Sequence, residues 1–387
     1  MSLAELRLAD VRCLVEAELR LHPRFNLITG ANGSGKTSLL EAVYLLGRGR
    51  SFRSRHTEQL IRHTAPQLRV FGRIRRDPVQ GDSTIHDADA TADETATDQN
   101  LVLADELASG PAHSIALSCS RTNGLAAQID GSAMHSLAEL SEAFPVQALD
   151  PGIHRLVEEG PVQRRRWLDW AVFHVEPNFV SHWQSYGRAL RQRNAALKSG
   201  ADATLWDGEL VRLGDLLNSA RVRLIEALQP YWTATLLTLD ALPTSMGYYQ
   251  GWTHPQNLAA MLAEDLPRDR ERGSTLHGPH RFDVLLRVGG RAARDIVSRG
   301  QQKLLGAAMA LAMARYIAQI VGRPPTLLLD DPAAELDAKH TQALMSAVGE
   351  LGGQRIVTAL RPEEASLRAL GLPDRVFHVE HGEVKRL

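Results

Sequence analysis

Apolar positions change their spacing several times along the chain, and each change marks an element. Residues 6–8, 17–21 and 25–29 are short apolar runs of strand length. Leu39, Leu40, Val43 and Leu46 then recur at helical spacing, which predicts a helix over 36–46 behind a glycine-rich loop. Residues 67–75 and 114–120 read as further strands, and Thr122-Asn123-Gly124 predicts a hairpin turn into 125–129. From Pro161 to about Tyr231 the Leu-, Ala-, Arg- and Gln-rich pattern is helical, with breaks expected at Pro177 and Pro230. Residues 285–288 predict a strand, Gly289-Gly290 a turn, and 291–295 its return. The last third alternates helix (301–321), strand (326–330), helix (338–348) and strand (355–359). That alternation predicts a mainly parallel sheet covered by helices. No repeat with a period of 20 to 50 residues interrupts it.

Composition narrows the class. The 387 residues exceed one average domain, and 44% hydrophobic with 23% charged residues suits a soluble protein with a large core. Two cysteines, Cys13 and Cys119, make no disulfide framework and no zinc spacing, so a reducing cytoplasm is expected. The first 13 residues lack the basic and apolar regions of a signal peptide, and the apolar run 304–314 is too short to span a bilayer. A cytoplasmic protein with no membrane partner is the expectation. Net charge is −1, but nine acids and no Lys or Arg fall within 77–113. That segment has no apolar period and reads as a disordered acidic insertion; the rest of the chain carries a basic surplus.

The chemistry is concentrated in three places. Gly30-Ala31-Asn32-Gly33-Ser34-Gly35-Lys36-Thr37 fits the pattern of a phosphate loop, with Ser38 completing the turn into the helix. Its glycines let backbone N–H groups approach phosphate oxygens, Lys36 suits the β- and γ-phosphates, and the Thr37 hydroxyl suits Mg²⁺. Leu327-Leu328-Leu329-Asp330-Asp331 is an apolar strand ending in two carboxylates, where Asp330 would orient the Mg²⁺ shell and Asp331 would polarise the attacking water. Ser298-Arg299-Gly300-Gln301 precedes the apolar helix and offers another anion site at a helix start. Lys36 and Asp330 are 294 residues apart, so a second lobe must lie between them. Together these features predict an α/β fold, an ATP-binding-cassette (ABC-type) P-loop ATPase head with a helical second lobe. The expected divisions are 1–150, 151–275 and 276–387.

These motifs carry a resemblance. With Gly49-Arg50-Ser51-Phe52-Arg53, Arg164-Arg165-Arg166-Trp167-Leu168-Asp169, Gln192-Arg193-Asn194, His277-Gly278-Pro279-His280 and Glu335-Leu336-Asp337, they lie in the order found in the RecF family. That family consists of bacterial recombination and replication-repair proteins related to the structural-maintenance-of-chromosomes ATPases. The resemblance covers nearly the whole chain outside the acidic insertion and implies a head with no long coiled coil. It also implies that Ser298, Gly300 and Gln301 meet the nucleotide of a second copy across an ATP-dependent homodimer. Glu335 and Asp337 would sit in the adjacent interface loop. Gln147 would occupy a glutamine-bearing switch that reaches the metal and the reaction.

The implied activity is a weak, DNA-stimulated ATPase acting as a switch on single-stranded, duplex or gapped DNA. Recombination-mediator partners, help in loading a recombinase, and a part in SOS induction follow from the same resemblance. Four features depart from the pattern: Pro332 after the paired acids, Phe282 in place of an acid, Asp rather than Glu at 331, and no histidine ending 355–359. Thr358 is the nearest polar residue there. Slow hydrolysis is expected.

Basic residues supply the expected DNA surface. Arg48, Arg50, Arg53 and Arg55 fall within 47–63 around Phe52. Arg155, Arg164, Arg165, Arg166, Arg188, Arg191 and Arg193 make a second series on the helical lobe. No base-reading motif accompanies them, so recognition of backbone and shape is expected. The alternative, the ATPase subunit of a membrane transporter, predicts a shorter chain between Lys36 and Asp330, Gly at 299, and no arginine series. A small-molecule P-loop kinase predicts no element like 298–301.

Overall fold

The computed structural model describes residues 1–54, 56–75, 113–134, 136–253, 256–332, 336–362 and 364–387. The acidic segment from 77 to 112, Arg55 and Glu335 lie outside the described residues. The chain forms two compact units: Met1–Pro151 with Ala318–Ala334 and Val348–Leu387, and Gly152–Ile317 with Glu335–Ala347. The first seam falls at Pro151, and residues 276–317 share a unit with 152–275.

The first unit is built on two six-stranded sheets. One contains β1 (Ser2–Val11), β2 (Leu14–Arg20), β4 (Gln67–Arg75), β5 (His113–Ser120), β6 (Gly124–Ile129) and β7 (Ser132–Ala133), paired antiparallel in the order β2-β1-β4-β5-β6-β7. Its strands alternate: in β4, Leu68, Val70 and Ile74 are buried while Arg69 and Arg73 face out. The other contains β3 (Phe25–Thr29), β8 (Val146–Leu149), β12 (Thr326–Leu329), β13 (Arg355–Ala359), β14 (Arg375–Glu380) and β15 (Glu383–Arg386), in the order β15-β14-β3-β13-β12-β8. All but β15 run parallel. β3 and β12 are buried at every residue, as a parallel strand covered on both faces must be.

Helix α1 (Lys36–Arg48) joins the sheets' cores. Its Leu39, Leu40, Val43, Leu45 and Leu46 are fully buried and share one apolar cluster with Leu68, Val70 and Ile115 of one sheet and Ile28, Leu328 and Ile356 of the other. Each such side chain contributes about 1.5–3 kcal/mol of burial. The helix lies so close to β4 that a Cβ on Gly72 would come within 2.5 Å of Leu46 Cδ1.

The second unit is mainly helical, with Pro161–Val175, Phe179–Ser199 and Asp207–Thr238. It also holds a three-stranded sheet of β9 (Ser245–Tyr249), β10 (Asp283–Val288) and β11 (Arg291–Ala292). Pro177 falls between helices, as expected, but Pro230 does not break one. It sits inside Asp207–Thr238, at 32 residues the longest helix among those described. Leu228, Trp232 and Leu236 are buried around it, the Trp232 indole N–H donates to the Thr244 carbonyl at 2.7 Å, and the Gln229 amide donates to the Ile225 and Met246 carbonyls. Packing on this scale outweighs the lost N–H bond. No long coiled coil is present among the described residues. The helix Arg299–Val321 is longer than its apolar run and apolar enough to cross a bilayer, yet every residue from Gln302 to Ala314 is buried inside protein. It is a core helix.

Candidate functional site

The loop between β3 and α1 is shaped by close approach. Gly30 has φ 149°, and a Cβ there would lie 2.3 Å from the Val379 carbonyl oxygen. Gly35, at φ 118°, abuts Leu14 at the start of β2. Both positions exclude larger residues. The Lys36 ammonium donates to the carbonyls of Gly30 at 2.6 Å and Ala31 at 2.9 Å. Burial pulls its pKa below the ordinary lysine value, while the charges of Asp331, Asp330 and Glu364 act to keep it protonated. The Ser34 hydroxyl is buried with no hydrogen-bond partner among the described residues. A loop with an orphaned hydroxyl, a charged lysine and the unsatisfied N–H groups of a helix start fits a phosphate chain.

Parallel pairing brings the distant carboxylates here. β12 ends level with β8 and one strand from β3, so Asp330 leaves the sheet at its carboxyl edge, its N–H donating to the Leu149 carbonyl at 3.0 Å. The Thr37 hydroxyl meets both oxygens of Asp330, at 2.9 and 3.0 Å. Thr358, at the end of β13, donates to Asp330 at 3.0 Å and accepts the Asp331 N–H at 2.9 Å. Burial pushes the Asp330 carboxyl above the usual carboxylate range, opposed by the Thr37 and Thr358 bonds and the charge of Arg53. Asp331 is raised by burial and by the neighbouring Glu364 and Asp330. Its backbone is left-handed, with φ 46°. One hydroxyl and one carboxylate suit a magnesium ion that takes its remaining ligands from phosphate and water.

A further network was not read from the sequence. The Glu41 side chain on α1 is fully buried, one turn beyond Thr37, and pairs with Arg12 at 3.0 Å. Ser51 donates to Glu41 at 2.5 Å and accepts the N–H groups of Arg53 and Ser54. Arg12 also donates to Ser54 Oγ at 2.6 Å and the Gln59 carbonyl at 3.0 Å. The phosphate-loop helix thus fixes the segment bearing Arg50 and Arg53. An acid within the apolar run Leu39–Leu40–Ala42–Val43 was the available signal.

Several expected site residues are placed differently. Arg48 is not a surface cation: it is buried, donates to the Val146 carbonyl at 3.0 Å, lies over the Tyr44 ring, and has its pKa pulled down to about 9 by burial. Arg53 is exposed and Arg50 half-buried. Gln147 lies buried in β8 opposite Leu327, three positions short of the edge that carries Asp330, which is roughly 10 Å of strand. The strand pairing therefore sets it back from the edge that carries Asp330.

Ser298, Gly300 and Gln301 belong to the other unit and are exposed. Gln301 Oε1 accepts the Ser298 N–H at 3.0 Å and Ser298 Oγ accepts the Gln301 N–H at 3.4 Å, a reciprocal cap on the core helix. Asp337 likewise caps the helix Ala338–Leu351 through the His340 N–H at 2.9 Å.

Two members of the second arginine series are internal. Arg193 is fully buried between Asp207 and Asp269, and Arg164 pairs with Asp283. Arg188 and Arg191 remain exposed. Phe282 is buried with the Arg221 guanidinium 3.9 Å from its ring centre, and Arg221 takes its carboxylate from Asp169 instead. His277 pairs with Asp265 at 2.7 Å. His280 bonds Tyr186 and the Thr275 carbonyl.

The family model described as the RecF/RecN/SMC N terminal domain matches residues 2–385. The DNA replication and repair protein RecF of Pseudomonas syringae pv. tomato is 37% identical over 392 residues, covering 99% of this chain and 98% of that one. RecF of Stutzerimonas stutzeri is 36% identical over 398 residues, covering 100% and 98%. Among solved structures, the recombination mediator protein RecF with ATP, of the RecFOR pathway, has a TM-score of 0.81 at 23% identity, covering 100% of this chain and 97% of that one. The Smc head domain with a coiled coil and joint from Pyrococcus yayanosii has a TM-score of 0.55 at 12% identity, covering 100% and 96%.

Proposed function

The chain belongs to the RecF family, within the RecF/RecN/SMC N-terminal-domain proteins, and from that premise we propose that it is an ATP-driven DNA-binding switch of recombinational repair and replication restart. The observation that carries this reading is the meeting of Lys36, Thr37, Asp330 and Asp331 at one sheet edge from opposite ends of the chain. Residues Gly30 to Ser38 cradle the triphosphate, with Lys36 on its β- and γ-phosphates. Thr37 and Asp330 hold Mg²⁺, which offsets charge on the phosphate oxygens. Asp331 orients water for in-line attack and accepts its proton. The reach of an aspartate is short, so turnover is slow and serves to reset the switch.

Ser298, Gly300 and Gln301 of a second copy close over the γ-phosphate, which makes the dimer depend on ATP. Their exposure at the start of a 23-residue helix supports this role. Arg50, Arg53 and Arg55 meet DNA phosphates, with Arg188 and Arg191 as a second contact region; binding is to single-stranded, duplex or gapped DNA without base readout. The relatives described as a DNA replication and repair protein and as a recombination mediator support a role in repair; mediator partners, action in the cytoplasm, recombinase loading and a part in SOS induction belong to the same proposal.

Sedimentation of a labelled gapped duplex with the protein, with and without Mg-ATP, tests the reading. A complex holding two protein copies only in ATP is expected. No co-sedimentation at low salt in either condition would sink it.

A further inference from the structure

Leu329 pairs with Val357, so Asp330, the next residue on its strand, comes level with Thr358, the next on β13. The backbone bonds alternate sides as β12 ends. The Leu327 N–H donates to the Gln354 carbonyl just before β13 at 2.9 Å, and the Asp330 N–H to the Leu149 carbonyl of β8 at 3.0 Å. The Asp331 N–H then faces β13 again, where it donates to the Thr358 hydroxyl instead of a carbonyl, at 2.9 Å. A hydroxyl has one proton to donate. Thr358 gives it to Asp330 Oδ1 at 3.0 Å, the Leu329 carbonyl at 3.5 Å being the weaker acceptor. Thr358 is fully buried, so water does not compete for either bond. Asp330 Oδ1 thus has both Thr37 and Thr358 for partners, and Oδ2 has Thr37. One residue on, Asp331 turns left-handed at φ 46°, a conformation uncommon outside glycine that persists where neighbouring bonds enforce it.

We propose that Thr358 is a positioning residue that gives the two adjacent acids different tasks. This rests on the nucleotide reading above. The proton that Thr358 donates fixes the Asp330 carboxylate towards Thr37 and leaves Oδ2, with its single partner, to serve the metal. The N–H that Thr358 accepts ends the ladder and turns the chain at Asp331, so that Thr37 bonds one of the two acids and not both. A side chain one step removed from an ion, holding the group that serves it, typically sets about 10- to 100-fold of its affinity.

Thr358→Val keeps the branched shape and removes both bonds, whereas Thr358→Ser keeps the hydroxyl. Equilibrium binding of ATPγS to the full chain is measured in excess Mg²⁺ and in EDTA. The gain in affinity that Mg²⁺ brings is expected to fall about 10-fold or more in Thr358→Val and to return in Thr358→Ser, while binding in EDTA stays within about twofold. A residue that only filled the core would shift the unfolding midpoint and leave that gain unchanged. In the unmutated protein, hydrogen exchange at the Asp331 amide is expected to be slow with and without nucleotide. An unchanged gain in the valine variant, or a serine variant as impaired as the valine one, overturns the positioning role alone. So does an Asp331 amide that exchanges as fast as an exposed one, a result that needs no variant to fold. An unmutated chain that binds no ATPγS in either condition overturns the underlying reading and this one together.

Discussion

Lys36 holds its own loop through two carbonyls, so its ammonium is already positioned beside the carboxylates. Lys36→Ala should abolish ATP binding, read by calorimetry, while leaving the unfolding midpoint within a few degrees; retained micromolar affinity would refute the assignment. His280 offers a residue-level test of stability. The Thr275 carbonyl can only accept, so Nε2 carries the proton and Nδ1 accepts from the Tyr186 hydroxyl at 2.8 Å. Burial lowers the His280 pKa from 6.5 to about 4. A depressed folded-state value stabilises the protein fully above pH 6.5, and the contribution is lost as pH falls towards 4. Urea unfolding should therefore show about 2 kcal/mol lost between pH 7 and pH 5 from this group. His280→Gln should flatten that slope; an unchanged slope would show that other groups produce it. The phosphate loop and paired acids were legible in the sequence because backbone chemistry dictates residue type at each position. The fate of Arg48 was not, because an arginine in a basic run reads the same whether it meets solvent or the Val146 carbonyl.

Among the elements, periodicity predicted α1, the apolar helix at 301–321 and the strands β3, β12 and β13 closely, since each is buried on faces that its spacing must match, whereas β8 and β14 of the same sheet were not read. Pro230 misled because local propensity is a small term beside a helix packed over many turns. The Arg12–Glu41–Ser51 tie was also invisible, since it joins the β1–β2 turn, α1 and the segment after it. It should be expensive to break. Arg12→Ala leaves a fully buried carboxylate with a serine alone, a loss of about 3 kcal/mol in chemical denaturation. A cost below about 1 kcal/mol would mean that water reaches Glu41 readily.

At the scale of the whole molecule, two units share one chain that crosses between them repeatedly, and sequence spacing foretold the second from the gap between Lys36 and Asp330. Ser298→Arg tests the role of the exposed cap. Nucleotide binding by the monomer should persist while ATP-dependent dimerisation, followed by sedimentation velocity, is lost; dimers of normal strength would remove Ser298 from the interface. The sheet order has a separate consequence for how the protein is made. β3, which delivers the phosphate loop, is flanked by β13 and β14, both of which follow it by more than 300 residues. A ribosome adding about 5–20 residues per second needs roughly 15–60 s after Thr37 to reach Asp330. Throughout that interval, and until β13 and β14 follow, the nascent chain carries a nucleotide motif on a strand with neither neighbour.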